Sequence, residues 1–414
     1  MTDLHTTMEH AADPVAAGMD PARLERITAH FQDRYVTPGK LTGCQIAVVR
    51  EDTLAYSRNL GLMDRERERP VTDDTIWRIY SMTKPITSVA LLQLYEQGAF
   101  LLTDPVARFI PAWSDLRVET VTEDGSTTTA AQERPMTIRD ALMHMTGLAG
   151  SVVPSHPVDY RYAEAVREER SGMTLEKACE LLADYPLKFQ PGTRWNYGLS
   201  TDICARLVEI ISGRSFDDYL TDEVFRPLGM VDTGFVVPDE SADRFAATYA
   251  YRAGQTPSLF DDPETSAYRR RRSYLSGAGG LVSTLGDYLR FCRMLLGDGE
   301  LDGTRVLGRK TLELMTVNHL PGGGDLRQFA TGGFGESGFD GIGFGLGFAI
   351  GLGPAATGGV GSYGEYSWGG AASTAFWVDP VEDLTVVFMT QLMPSTCYPI
   401  RAQLRALVYQ ALAK

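Results

Sequence analysis

Lysine is scarce in this chain: Lys40, Lys84, Lys177, Lys188, Lys310 and Lys414 are its whole complement in 414 residues. Acid outweighs base, 53 Asp and Glu against 39 Lys and Arg, for a formal net charge of −14. That balance argues against nucleic acid or an anionic membrane as the main partner. Cysteine is sparse too. Cys44, Cys179, Cys204, Cys292 and Cys397 are scattered and odd in number, with no Cys-x-x-Cys, which points to a reduced compartment and away from disulfides or structural zinc. Neither a His-Glu-x-x-His motif nor a carboxylate cluster offers metal-ligand spacing. No apolar run approaches the length of a transmembrane helix. Met1 to Ala17 lacks the apolar core of a signal peptide, so it reads as a loose leader, and the cytoplasm is the expected compartment.

Against that scarcity, Lys84 gains weight from its neighbours. Ser81-Met82-Thr83-Lys84 sets a hydroxyl and an amine three residues apart, where a helix stacks them on one face. Serine alone is a poor nucleophile, and a neighbouring amine can take its proton. Such a spacing arises by chance in a chain like this roughly one time in three, so context must decide. The following Pro85 to Gly98 reads as a helix, apolar most of the way round and ended by glycine, and so a buried one. Ser81 then heads a core helix, where unpaired N–H groups favour developing negative charge.

The rest of the chain is organised around this helix. Asp20-Pro21 opens a helix to about Tyr35, with Leu24, Ile27 and Phe31 on one face. Gln45 to Val49, Leu54 to Tyr56 and the approach to Tyr80 read as strands. Thr137 to Met145, Thr174 to Tyr185, Leu199 to Ile211 and Phe216 to Val224 read as helices, and Thr-rich Thr120 to Pro135 as a surface excursion. Ser283-Thr284 can cap a helix through Leu296. Phe344 to Ile350, Ala375 to Val378 and Leu384 to Met389 suggest strands, and Ile400 to Leu412 a closing helix. The expected organisation is a flexible leader (1–19), an α/β domain built from both ends (20–105 and 275–414) and a mostly helical insertion (106–274). The glycine run Gly341 to Gly347 is not a strand followed by a glycine turn and a helix, and no Gly-Lys-Ser/Thr follows, so nucleotide binding is not expected.

Two more segments carry chemistry. Gln190 to Ser200 sets Tyr197 in a loop before a helix, and Tyr366-Ser367-Trp368-Gly369-Gly370-Ala371-Ala372-Ser373 precedes an apolar strand. A phenol beside a cationic lysine can relay protons. A glycine-rich strand edge lets a backbone N–H approach a reacting carbonyl. Together with Thr137 to Leu148, Arg226 to Thr233 and Gly279 to Thr284, these motifs resemble the serine β-lactamase and penicillin-binding-protein superfamily, in its class C β-lactamase-like branch and nearest the family VIII carboxylesterases. The resemblance runs from about Pro21 to the C-terminus. It implies an α/β (α+β) fold with an antiparallel central sheet flanked by helices, plus the helical insertion. It implies Ser81 as the acylated nucleophile, Lys84 and Tyr197 as shared base and acid, and the backbone N–H groups of Ser81 and Ala371 as the oxyanion hole.

The departures from that family's pattern bear on substrate. Class C β-lactamases carry Tyr-x-Asn and Lys-Thr-Gly, where this chain has Leu199 and Trp368-Gly369-Gly370. By the resemblance, Leu199, Trp368, Gly369 and Gly370 border the substrate, and an apolar side chain and an indole replace an amide and a cation. The expectation is a serine hydrolase of small neutral carboxylic esters that needs no cofactor. A β-lactamase, a D-amino-acid peptidase, an acyltransferase and a non-catalytic binding homologue remain alternatives. The histidine that invites attention as a base, His144, is expected to be structural, and Arg269 to Arg272 a solvated loop.

Overall fold

The structure is a computed structural model and describes residues 12–122, 126–151, 153–154, 156–168, 172–331 and 339–413. Its frame is an eight-stranded antiparallel sheet. From the first half come β1 (Gly43–Arg50), β2 (Thr53–Asp64) and β3 (Arg69–Pro70), and from the last quarter β4 (Ile342–Phe344), β5 (Ala349–Leu352), β6 (Tyr363–Gly369), β7 (Ala375–Asp379) and β8 (Leu384–Thr390), in the order β4-β5-β6-β7-β8-β1-β2-β3. The two ends of the chain therefore meet at the pairing of β1 with β8, whose register sets Ile46 opposite Phe388 and Val48 opposite Val386. Every residue of both strands is buried, because helices cover both faces of the sheet.

Alternation along the strands divides the core. Ile46, Val48, Val386 and Phe388 pack with Leu24, Ile27 and Phe31 of α1 (Pro21–Phe31) and with the C-terminal helix Ile400–Tyr409. Ala47, Val49, Val387 and Met389 face the larger core. That core holds α2 (Thr83–Glu96), α3 (Ser200–Ser212) and α4 (Leu285–Leu296). The local signals act as the sequence suggests. The side chain of Asp20 caps α1 through the Arg23 N–H, that of Thr284 caps α4 through the Asp287 N–H, and α2 ends at Gly98 with φ of 73°. No helix among the described residues is long and apolar enough to cross a membrane.

Several expectations are corrected. The first eleven residues of the leader lie outside the described residues, but Ala17 and Met19 are buried and Met19 bridges Leu412, so residues 12–19 are tied down. The excursion at Thr120 to Pro135 contains a hairpin, Val118–Val121 on Thr127–Ala130, consistent with its β-branched residues. Within 106–274 a second hairpin, Thr248–Arg252 on Gln255–Asp261, pairs in parallel with Leu392–Met393. The helix expected at Thr137 to Met145 is only Ile138–Leu142 and stops before His144, whose φ is 58°. Phe344 to Ile350 is two strands, because Gly347 turns with φ of 102° and a Cβ on Gly345 would lie 2.3 Å from the Met315 carbonyl oxygen. Tyr366 to Gly369 is itself a strand within β6.

Phe388 sits at the centre of this frame, fully buried, its ring 5.2 Å from that of Phe31. Phe388→Ala is expected to cost about 3–5 kcal/mol of stability. A urea unfolding curve should show a lower midpoint at unchanged slope, and an unmoved midpoint would refute the assignment of the core.

Candidate active site

Ser81 lies in a single 3₁₀ turn, Tyr80–Met82, immediately before α2. It does not act as a side-chain cap: Met82 holds that position and no side chain caps the helix. The turn is entered through Tyr80 with φ of 42°, a left-handed conformation that costs a bulky residue on the order of 1 kcal/mol or more and is found where a fold over-determines a site. One helical turn on, Lys84 is 3% exposed. Its ammonium donates to Ser81 Oγ at 3.2 Å and to the Ala278 carbonyl at 2.7 Å. The ring of Tyr197 lies over it, 4.4 Å from Nζ to the ring centre. The structure thus brings Ser81, Lys84 and Tyr197 together from segments more than a hundred residues apart in sequence.

Tyr197 is held by its neighbours. Its ring stacks on Trp195 at 5.8 Å and 15°, and lies 5.6 Å from Trp368 and 5.2 Å from His144. Contacts of this kind contribute about 0.5–1.5 kcal/mol each beyond burial and fix ring orientation. On the backbone, Trp195 N–H donates to Phe329 O and Asn196 N–H to His144 O, both at 2.8 Å. Beneath the loop, the buried Lys188 ammonium donates to Asn196 Oδ1 at 2.9 Å and pairs with buried Asp159 at 3.0 Å. Burial pulls the Lys188 pKa down while Asp159 opposes the shift. Lys188 and Asp159 belong to no motif, and sequence reading missed them.

The end of β6 approaches the Ser81 turn by close packing. A Cβ on Gly370 would stand 2.6 Å from the Ile79 carbonyl oxygen, two residues before Ser81. A Cβ on Gly369 would meet the guanidinium of Arg401, which donates to the carbonyls of Gly370 and Thr374. The turn after β6 closes through Gly370 N–H to Thr374 O at 2.9 Å and Ser373 N–H to Gly370 O at 3.0 Å, with Ala371 inside it. Trp368 is 5% exposed and packs between Tyr197 and Phe344, so it reaches the Ser81–Lys84 pair through the Tyr197 ring. Leu199 precedes α3 and is half-buried. A Cβ on Gly150 would lie 2.5 Å from its Cδ1, so Leu199 and the Gly150 backbone form one packed wall.

His144 is buried and neutral. Its Nε2 meets Thr201 Oγ1 at 3.2 Å, and burial, with the charge of Lys84 in second place, holds its pKa well below the usual imidazole value. Asp202, which sequence reading also passed over, is buried on α3 and accepts from Ser276 Oγ at 2.8 Å and Ala278 N–H at 3.2 Å. Burial raises its pKa, opposed by these donors, by Tyr274 and by Lys84. No group of three or more His, Cys, Asp or Glu among the described residues could hold a metal. Cys44, Cys179, Cys204 and Cys292 are buried, and burial raises the pKa of each thiol.

The family model described as Beta-lactamase matches residues 24–410. The chain belongs to the beta-lactamase family. It is a serine hydrolase of β-lactamase fold with a large antiparallel sheet. Protein Rv1367c of Mycobacterium tuberculosis (strain ATCC 25618 / H37Rv) is 33% identical over 86% of this chain and 87% of its own length. Esterase EstB of Burkholderia gladioli is 30% identical over 96% of this chain and 98% of its own. Among solved structures, "EstCE1, a hydrolase with promiscuous acyltransferase activity" superposes with a TM-score of 0.77 at 25% identity, covering 95% of this chain and all of that one.

A histidine whose folded pKa is depressed lets the unfolded state take up a proton first as pH falls, so its stabilising effect is present above pH 6.5 and is lost below. Wild-type protein should therefore lose stability more steeply than His144→Gln as pH falls from 6.5 towards 5. Denaturant midpoints across that range check this, and parallel curves would contradict a neutral buried His144.

Proposed function

We propose that this chain hydrolyses small, neutral carboxylic esters through an acyl-enzyme on Ser81. The observation that carries the reading is the 3.2 Å approach of Lys84 Nζ to Ser81 Oγ under the Tyr197 ring. With the Lys84–Tyr197 pair one proton short, as an amine beside a phenol or an ammonium beside a phenolate, Ser81 Oγ attacks the ester carbonyl carbon and its proton passes to that pair. The backbone N–H groups of Ser81 and Ala371 receive the oxyanion, a contribution of about 3–4 kcal/mol in comparable sites. The carbon–oxygen bond to the alcohol breaks and the pair returns the proton to the leaving oxygen. Water then attacks the acyl carbon and gives a proton to the same pair, the carbon–oxygen bond to Ser81 Oγ breaks, and the pair returns that proton to Oγ as the acid leaves. Leu199 and Trp368 offer neither an amide for a β-lactam side chain nor a cation for its carboxylate, which favours esters over penicillins and cephalosporins. The name of the EstB relative supports the same reading. The likeness to EstCE1, a hydrolase with promiscuous acyltransferase activity, favours a second outcome on the same intermediate, in which an alcohol takes the acyl group in place of water.

A fluorophosphonate should label the wild-type protein once, at Ser81, by intact mass, and Ser81→Ala should fold, escape labelling and lose esterase activity by several orders of magnitude. Retention of more than a few per cent of kcat would remove Ser81 from the mechanism. Lys84→Ala and Tyr197→Phe should each be severely impaired, and the double variant little worse than the poorer single one, because groups that act as one unit are non-additive. Fully multiplicative losses would show that they do not share the proton. On one preparation, kcat/KM for p-nitrophenyl butyrate should exceed that for nitrocefin by at least ~10-fold, the worth of one lost charge-assisted contact. A preference for nitrocefin would replace the esterase reading with a β-lactamase one.

A further inference from the structure

Ser276-Gly277-Ala278 is a strap wedged between α2 and α3. A Cβ on Gly277 would lie 2.6 Å from Ala205 Cβ and 2.9 Å from the Thr201 carbonyl oxygen on α3, and 3.1 Å from Thr87 Cγ2 on α2. Two successive carbonyls of the strap point into α2: Thr87 Oγ1 donates to Gly277 O at 2.8 Å, and Lys84 Nζ donates to Ala278 O at 2.7 Å. These donors sit one helical turn apart, so the strap reads the spacing of α2. On the other side a single carboxylate oxygen, Asp202 Oδ1, accepts from both Ser276 Oγ and the Ala278 N–H. One peptide residue, Ala278, is thus pinned by its N–H to Asp202 and by its carbonyl to the catalytic ammonium.

Resting on the esterase reading above, we propose that Asp202 is a positioning residue for Lys84: through Ala278 it fixes the ammonium against Ser81, and its negative charge sets the pH at which the Lys84–Tyr197 pair becomes basic. The donors around it suit an anion, since Ser276 Oγ, the Ala278 N–H and Tyr274 all direct hydrogen toward it. Among the described residues, the titratable groups facing Lys84 include Tyr197, His144 and Asp202. Those acting with Asp202 are Tyr162, Tyr274, Cys179 and Cys204, whose hydroxyls and thiols burial holds in the neutral form. Among these groups Asp202 is the carboxylate: burial raises its pKa, and the Ser276, Ala278 and Tyr274 donors together with Lys84 oppose that rise. Asp202 lies five residues after Tyr197, on the helix that begins just beyond the Tyr197 loop, so one element carries both the phenol and the group that places its lysine partner.

The test is the rate of fluorophosphonate labelling of Ser81 as a function of pH, with p-nitrophenyl butyrate kcat and KM alongside. Asp202→Asn keeps the size and one acceptor but removes the charge. Its acid limb should move to lower pH by roughly half a unit to two units, and its plateau rate should fall about 10- to 100-fold in kcat with KM within threefold, as expected when a reacting group loses its placement. Ser276→Ala leaves the charge in place, so its limb should stay at the wild-type pH. Should Asp202→Asn fail to fold, Asp202→Ser makes the same charge change and is read the same way. An unmoved acid limb in a folded Asp202 variant, or an equal shift in Ser276→Ala, would overturn the inference. Failure of the wild-type protein to label at Ser81 would instead sink the proposed function.

Discussion

The burial of one ammonium governs this structure. Removing a lysine charge from water costs several kcal/mol unless polar groups replace the lost hydration. At Lys84 those groups come from three different parts of the chain. Ser81 Oγ and the Ala278 carbonyl accept its hydrogens, and the face of Tyr197 lies over it. Each group that solvates the ammonium is also one that the proposed reaction uses or that fixes a reacting group in place. The stability of the site and its geometry are therefore the same set of contacts.

Such a set needs a rigid frame, and the sheet supplies it. Pairing of β1 with β8 joins the two ends of the chain, and α2 packs in the core that the sheet's inner face shares. Close approaches then set distances that side chains could not. Gly370 brings the end of β6 against Ile79, and Gly277 lets the strap enter between α2 and α3. At both positions a single methyl group would collide with backbone. Glycine there serves proximity, since neither residue has a positive φ.

Neighbours within the motif segments and residues outside them sustain this geometry together. Trp195, Trp368 and His144 surround the Tyr197 ring, while Lys188, Asp159 and Asn196 form a buried polar support under its loop. Arg401 holds the carbonyls at the end of β6. Buried polar groups of this kind are satisfied by partners distant in sequence, so no local spacing announces them.

The chain by itself determined the elements and the motifs. Ser81 and Lys84 are legible because a helix places i and i+3 on one face, and Gly98, Asp20 and Thr284 because caps are local chemistry. The paired apolar strands Ala375–Asp379 and Leu384–Thr390 are legible for the same reason, since a short turn joins them. What local pattern could not decide is where long-range contacts override it. The Phe344 to Ile350 segment breaks because Gly345 meets the Met315 backbone, and residues 12–19 are held by a bridge to Leu412. In sequence Asp202 is one polar residue of a helical stretch that no motif marks. Only the tertiary structure, by burying it against a strap some seventy residues away in sequence, made it a partner of Lys84. Burial turns an ordinary carboxylate into a strong local field, and burial is a property of the folded chain alone.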